Sequence, residues 1–163
     1  MATEAPSSVR LLSDLEILDR PNDQSIQALH DYWIEKKGAG SMLLRGSIDP
    51  LEIKGHLPFL FMLDVLEGGQ DFSYRLIGTT TATMSGRDVT GATFGSLYAV
   101  RPGVMATLRS LFRPVIVERR PVFASGRVFW RPERDFRRFE GGYFPISSNG
   151  TEIDIILGEV QFS

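Results

Sequence analysis

The sequence predicts an α+β fold in one domain, and three observations carry that prediction. Two blocks of alternating apolar residues, one on each side of the middle of the chain, read as antiparallel strands because the turns between their members are short. Between the blocks, Val104, Met105, Leu108, Leu111, Phe112 and Val115 recur at helical spacing. With 163 residues, 42% of them apolar and 23% charged, the chain is long enough to bury a core.

Residues 1–20 read as an N-terminal tail or extension, loosest over the first ten or so, and 21–163 as the folded domain. Asp23 is placed to cap a helix on which Ile26, Leu29, Trp33 and Ile34 share a face, with Lys36 and Lys37 in the last turn before Gly38. Asp49-Pro50 opens a shorter helical turn that runs through Leu57 and stops at Pro58. Residues 59–67 and 70–78 then flank Gly68-Gly69, a pair suited to the positive φ angles of a tight hairpin. Pairing Glu67 with Gln70 sets Leu63 opposite Tyr74 and Phe61 opposite Leu76, so one face holds Phe61, Leu63, Val65, Phe72, Tyr74 and Leu76. The other face, with Leu60, Met62, Asp64, Ser73, Arg75 and Ile77, is mixed and calls for partial cover. The helix of Ile26, Leu29 and Trp33, from the same chain or from a second copy, can supply it.

From Thr79 to Tyr98 the pattern is helical but irregular, broken by Gly86, Gly91 and Gly95. The long helix starts near Pro102, and Pro114 ends or kinks it. Three strands follow near 121–131, 136–147 and 151–162, the last two joined by a turn at Asn149-Gly150. Pairing Arg131 with Phe136 and Ser148 with Thr151 puts Val128, Trp130, Phe139, Val160 and Phe162 on one face. Arg127, Arg131, Arg138, Glu140, Glu159 and Gln161 fall on a solvent face. Ile153, Ile155 and Leu157 have the opposite parity to Val160 and Phe162, which predicts a bulge or sharp coil near Gly141, Gly142 and Gly158.

Composition excludes several functions. The net charge of −2 gives no global field for nucleic acid, and the absence of cysteine removes disulfides, iron–sulfur clusters and thiolate chemistry. Two histidines, His30 and His56, cannot build a Cys/His zinc site, so no metal site is expected, and both read as surface or packing residues. The longest apolar run, residues 57–63, is far short of a membrane span of about 20 residues. The first residues lack a basic-then-apolar signal pattern, which points to the cytoplasm. No GxSxG, HExxH, phosphate-binding glycine loop or GxGxxG sequence occurs, so no catalytic residues are assigned.

The segments Ile48-Asp49-Pro50, Leu57-Pro58, Met62-Leu63-Asp64-Val65, Phe72-Ser73-Tyr74-Arg75-Leu76-Ile77-Gly78-Thr79, Gly86-Arg87-Asp88-Val89-Thr90-Gly91 and Ile153-Asp154-Ile155-Ile156-Leu157-Gly158 occur in an order that resembles a family of small, stand-alone bacterial PAS-like domains of uncharacterised function, over residues 26–160 or so. The resemblance implies a PAS-like five-stranded antiparallel sheet with helices over one face and an N-terminal flanking helix, and a space between sheet and helices for a small ligand. It implies non-enzymatic sensing, a homodimer through flanking helices, and an output through a partner. It specifies no cofactor: the cysteine of flavin-linked PAS domains is absent, and neither histidine matches a haem-binding motif.

A pocket in such a fold would draw on Tyr74, Met84, Phe94, Tyr98, Met105, Leu108, Val128, Trp130 and Tyr143, apolar walls with a few polar tips that suit a small organic molecule. The same residues would serve equally well as a filled core in a ligand-free adaptor. Arg75 and Asp88 form a candidate ion pair, either a structural fork or an anion site. The enzymatic alternative is a small α+β cone of isomerase or hydratase type using Asp64 or a tyrosine as general acid or base. Eight arginines lie between Arg113 and Arg138 against three acids, a candidate surface for an acidic partner or simply a solvated face, with Arg127 paired to Glu140 and Arg137 over Trp130.

Overall fold

The computed structural model describes residues 15–85, 89–130 and 137–163, with the side chains of residues 84 and 85 left out. Its centre is a six-stranded antiparallel sheet in the order β1-β4-β5-β6-β2-β3. The strands are β1 (Leu15–Leu18), β2 (Leu60–Leu66), β3 (Asp71–Ile77), β4 (Val122–Arg127), β5 (Arg138–Ile146) and β6 (Ile155–Phe162). Five match the expected count. The sixth, β1, lies inside the predicted N-terminal extension and pairs with β4 from Leu15 opposite Gly126 to Leu18 opposite Phe123. No helix among the described residues is long and apolar enough to cross a membrane.

Helices cover both faces. Helix α1 (Gln24–Lys37) begins where the Asp23 side chain accepts a hydrogen bond from the Ile26 amide at 3.0 Å, and it ends at Gly38, whose φ of 55° few other residues tolerate. It buries Ile26, Leu29 and Trp33 against Leu60, Met62, Phe144, Ile155 and Leu157. The mixed face of β2 is therefore covered by a helix of its own chain, and needs no second copy for that purpose. Ile34 departs from the expected stripe and is exposed. Gly142 allows the close approach, since a β-carbon there would meet Ile26 at 2.6 Å. Pro50–Phe59 forms a 3-10 segment that begins at Asp49 as expected, breaks at Ile53 and runs one residue past Pro58.

The opposite face carries α2 (Thr79–Ser85), α3 (Phe94–Leu97) and α4 (Pro102–Val117). The apolar stripe of α4 is buried as its spacing predicts. Pro114 does not end α4, because it sits in the final turn, where one lost backbone bond matters least.

The strand pairings show how far side-chain periodicity reaches. Leu63 opposes Tyr74 as predicted, but the ladder shifts between Met62 and Leu63, so that Phe61 meets Ile77 and not Leu76. Arg75 is the extra residue. Ile77 accordingly packs toward the α4 side and Leu76 is exposed, the reverse of the expected assignment. In β4–β5 and β5–β6 the pairing is displaced by two residues, with Arg127 opposite Arg138 and Phe139 opposite Phe162. An even displacement preserves the faces, so Val128, Phe139 and Val160 lie in the α4-side core and Trp130 and Phe162 pack against it.

The displacement sets Ser125, not Arg127, opposite Glu140, and the Glu140 carboxylate instead accepts from the Asn22 and Asp23 amides at 2.7 and 3.0 Å. Nor is there a bulge near Gly141, Gly142 or Gly158, because β5 and β6 pair without interruption. The change of parity in β6 has another cause. Ile155 and Leu157 belong to the α1-side core while Ile156 and Val160 belong to the α4-side core, so both faces of the strand are buried.

Candidate ligand-binding site

Between the sheet and α2–α4 lies a cavity of about 40 Å³ lined by Phe61, Tyr74, Thr81, Phe94, Tyr98, Leu108, Phe112, Phe129, Trp130, Tyr143, Val160 and Phe162. Nine of these twelve are aromatic and none is charged. At roughly 10–15 Å³ per water centre the space admits about three waters.

Its floor is made by glycines. A β-carbon on Gly158 would run into the Phe61 ring and one on Gly141 into the Tyr143 hydroxyl, so the two aromatic side chains lie over bare backbone. Phe112 stacks edge-on to Tyr143 at 5.1 Å, and Phe94 joins Tyr74 at 5.1 Å and Tyr98 at 5.6 Å. Helix α3 is held in place from below: the Asp71 carboxylate accepts from the Gly95 amide at 2.9 Å, and Thr93 caps the helix through Ser96. On the far side Arg101 donates to the Phe129 and Trp130 carbonyls at 2.7 and 2.8 Å, fixing the backbone that presents those two rings.

The polar groups of the cavity are the hydroxyls of Tyr74, Thr81, Tyr98 and Tyr143 and the indole N–H of Trp130. Burial first, then its phenol neighbours Tyr98 and Tyr143, pushes the Tyr74 pKa well above the ordinary tyrosine value. Tyr74 is half-exposed as a residue, but its hydroxyl end is enclosed by protein, and that end governs its ionisation. Burial alone pushes Tyr143 up. The Thr81 hydroxyl is buried, lies on the cavity wall and has no hydrogen-bond partner among the described residues.

Of the residues singled out from sequence, Tyr74, Phe94, Tyr98, Leu108, Trp130 and Tyr143 line this cavity. Met105 and Val128 belong to the surrounding core, and the Met84 side chain lies outside the described residues. Sequence reasoning missed the other six: Thr81 and Phe129, which no alternation marks, Phe61, which the glycine opposite it could have signalled, and Phe112, Val160 and Phe162, which it placed on apolar faces but not at the site.

The charged candidates lie elsewhere. Arg75 pairs with Asp64, donating from both Nε and Nη2 to Oδ1 at 2.8 Å, with side chains 43% and 32% exposed. Asp88, the partner expected from sequence, lies outside the described residues. Asp64 falls between Leu63 and Val65, both on the α4 side, and so projects to the face away from the cavity. The arginine cluster divides in two: Arg113, Arg119 and Arg120 gather where α4 leads into β4, while Arg127, Arg137 and Arg138 sit at the other end of that strand. Arg131 and Arg134 are outside the described residues. The cation–ring contacts described are Lys36 over Tyr32 and Lys37 over Trp33, not Arg137 over Trp130.

His30 is a packing residue, 4.9 Å from the Phe123 ring, and its burial lowers its pKa against the opposing pull of Asp31. His56 is more than that. Its Nδ1 lies 2.9 Å from the Glu159 carboxylate, which is fully buried and also accepts from Ser25 at 2.5 Å and Gln161 at 2.7 Å. Glu159 is thus no solvent-face residue: it bolts the start of α1 and the 3-10 segment to β6. Among the described residues there is no group of three or more His, Asp or Glu side chains that could hold a metal ion.

Comparison with known families places the chain on independent ground. The profile of the PAS domain matches residues 22–158. The chain belongs to the PAS domain family. Neither curated proteins nor solved structures yielded a match. As a PAS domain the chain is a sensory or signalling module in general terms, and its cavity lies on the α2–α4 side of the sheet.

Proposed function

We propose that this PAS domain is a cytoplasmic, non-enzymatic sensor that takes a small molecule into the cavity under α2–α4 and passes the resulting change in packing to a second copy or a partner. The observation that carries this reading is the cavity itself, aromatic on nine of twelve lining positions and with no charged residue among the described ones that line it. Strand β6 supplies a route outward. Gly158 and Val160 face the cavity side while Glu159, between them, holds Ser25 and His56 on the reverse face, so a ligand that displaced the Phe61 ring would press on the strand that anchors α1.

The enzymatic alternative gains no support from the same geometry. Among the described residues no carboxylate or histidine lines the cavity, Asp64 faces away from it, and Tyr74 and Tyr143 are moved further from neutrality, against what general acid–base work requires. Native mass spectrometry of the purified domain tests the proposal. A small molecule should be retained, or taken up from a metabolite mixture, and uptake should fall in Leu108→Phe, which fills the cavity wall. A bare chain that takes up nothing favours the ligand-free adaptor and overturns the sensor reading.

A further inference from the structure

We infer that the ligand of this cavity is a small, uncharged ring compound carrying one hydroxyl, and that Thr81 is the residue that recognises it; this rests on the sensor reading above. Charge is excluded first. Among the described residues no charged side chain lines the cavity, and the nearby guanidinium of Arg101 is already engaged by two backbone carbonyls. A carboxylate or phosphate would surrender its hydration without a counter-charge. The aromatic walls favour a flat, polarisable body.

The hydroxyl follows from Thr81. Buried polar atoms nearly always have partners, and one left without costs the full loss of its hydration. The Thr81 Oγ1 is such an atom, on a residue 7% exposed, and it lies on the wall of the cavity and not in the interior of a packed helix contact. A ligand hydroxyl, at once donor and acceptor, would complete it whichever way the threonine hydrogen points. Among the described residues Thr81 Oγ1 is the one buried side-chain polar atom without a hydrogen-bond partner, so its hydrogen bonding changes most on binding. In volume, about 40 Å³ is too little for a ring, so the ring enters with a rotamer change at half-exposed Tyr98 or Trp130.

Phenol, benzene and benzoate separate the parts of the inference when titrated into the full chain at neutral pH, with binding followed by side-chain NMR shifts. Wild type should bind phenol more tightly than benzene and show no saturable shift with benzoate. Thr81→Val, nearly the same in shape, should weaken phenol roughly three- to tenfold, the worth of one neutral hydrogen bond, while leaving benzene unchanged. Without ligand it should melt no lower than wild type, because it removes an unpaired buried hydroxyl. Thr81→Ser should restore part of the preference for phenol.

Benzoate binding as well as phenol, an unchanged preference in Thr81→Val, a lower melting temperature of that variant without ligand, or no binding by any of the three would each overturn the inference. If shifts instead persist undiminished in Leu108→Phe, the probes bind outside the cavity, and the sensor reading falls with it. A retained molecule of another class in the native mass spectrum would sink the inference and leave that reading standing.

Discussion

The Tyr143 hydroxyl occupies the space that a β-carbon on Gly141 would need, two residues earlier on the same strand. The ring lies along the sheet, where Phe112 packs on it and Phe61 flanks it, and so a residue with no side chain sets the depth of the cavity.

Gly141→Ala should therefore act on the cavity as well as on stability. The added methyl must lift the Tyr143 ring into Phe112, an overpacking that costs about 1–3 kcal/mol. Urea unfolding should show the loss, and it should shrink when Tyr143→Phe is added, because the clash is first with the hydroxyl.

Glu159→Leu should be among the most damaging single substitutions on the α1 side. It removes the acceptor of Ser25, His56 and Gln161 from a fully buried position. Breaking such a network costs about 3–5 kcal/mol. Hydrogen exchange should locate the effect at the start of α1, where Ser25 loses its Glu159 acceptor while the Asn22 and Asp23 amides just ahead of the helix keep theirs on Glu140.

Arg101→Met should loosen the backbone under Phe129 and Trp130. Two charge-assisted bonds to carbonyls are lost, about 1–3 kcal/mol in total for this partly exposed group. Trp130 fluorescence, read in a Trp33→Phe background, should move to longer wavelength as water reaches the ring.

Alkali should destabilise the domain, with a defined sign. Tyr74 and Tyr143 are raised above the ordinary value of 10.0 in the folded state, first by burial. Below pH 10 both folded and unfolded chains hold protonated phenols and the contribution is fully present; above it the unfolded chain ionises first, and stability falls until the folded phenols titrate. Thermal melts should drop more steeply above pH 10 in wild type than in Tyr143→Phe.

Some of this architecture was legible from residue order alone, and the reasons differ by element. The cap at Asp23, the stop at Gly38 and the stripe of α4 depend on contacts within one or two turns, so local spacing sufficed. Strand faces survived an error of two residues in both closing hairpins because side chains alternate with period two. Where an odd shift intervened, at Arg75, the assignments of Leu76 and Ile77 reversed. Six cavity residues were likewise legible as aromatic or soft positions on the correct faces.

By itself, then, the sequence determined the secondary elements other than β1, their order, most apolar faces and hence the α+β class, since these follow from short-range periodicity and turn chemistry, while the PAS likeness rested on particular segments. Only the tertiary structure decided that Glu159 is buried beside His56 and Ser25, that Asp64 answers Arg75 away from the cavity, and that Thr81 is left unpaired on the cavity wall. Those relationships join residues on different elements, and whether a polar atom finds a partner is settled by where the other elements come to rest.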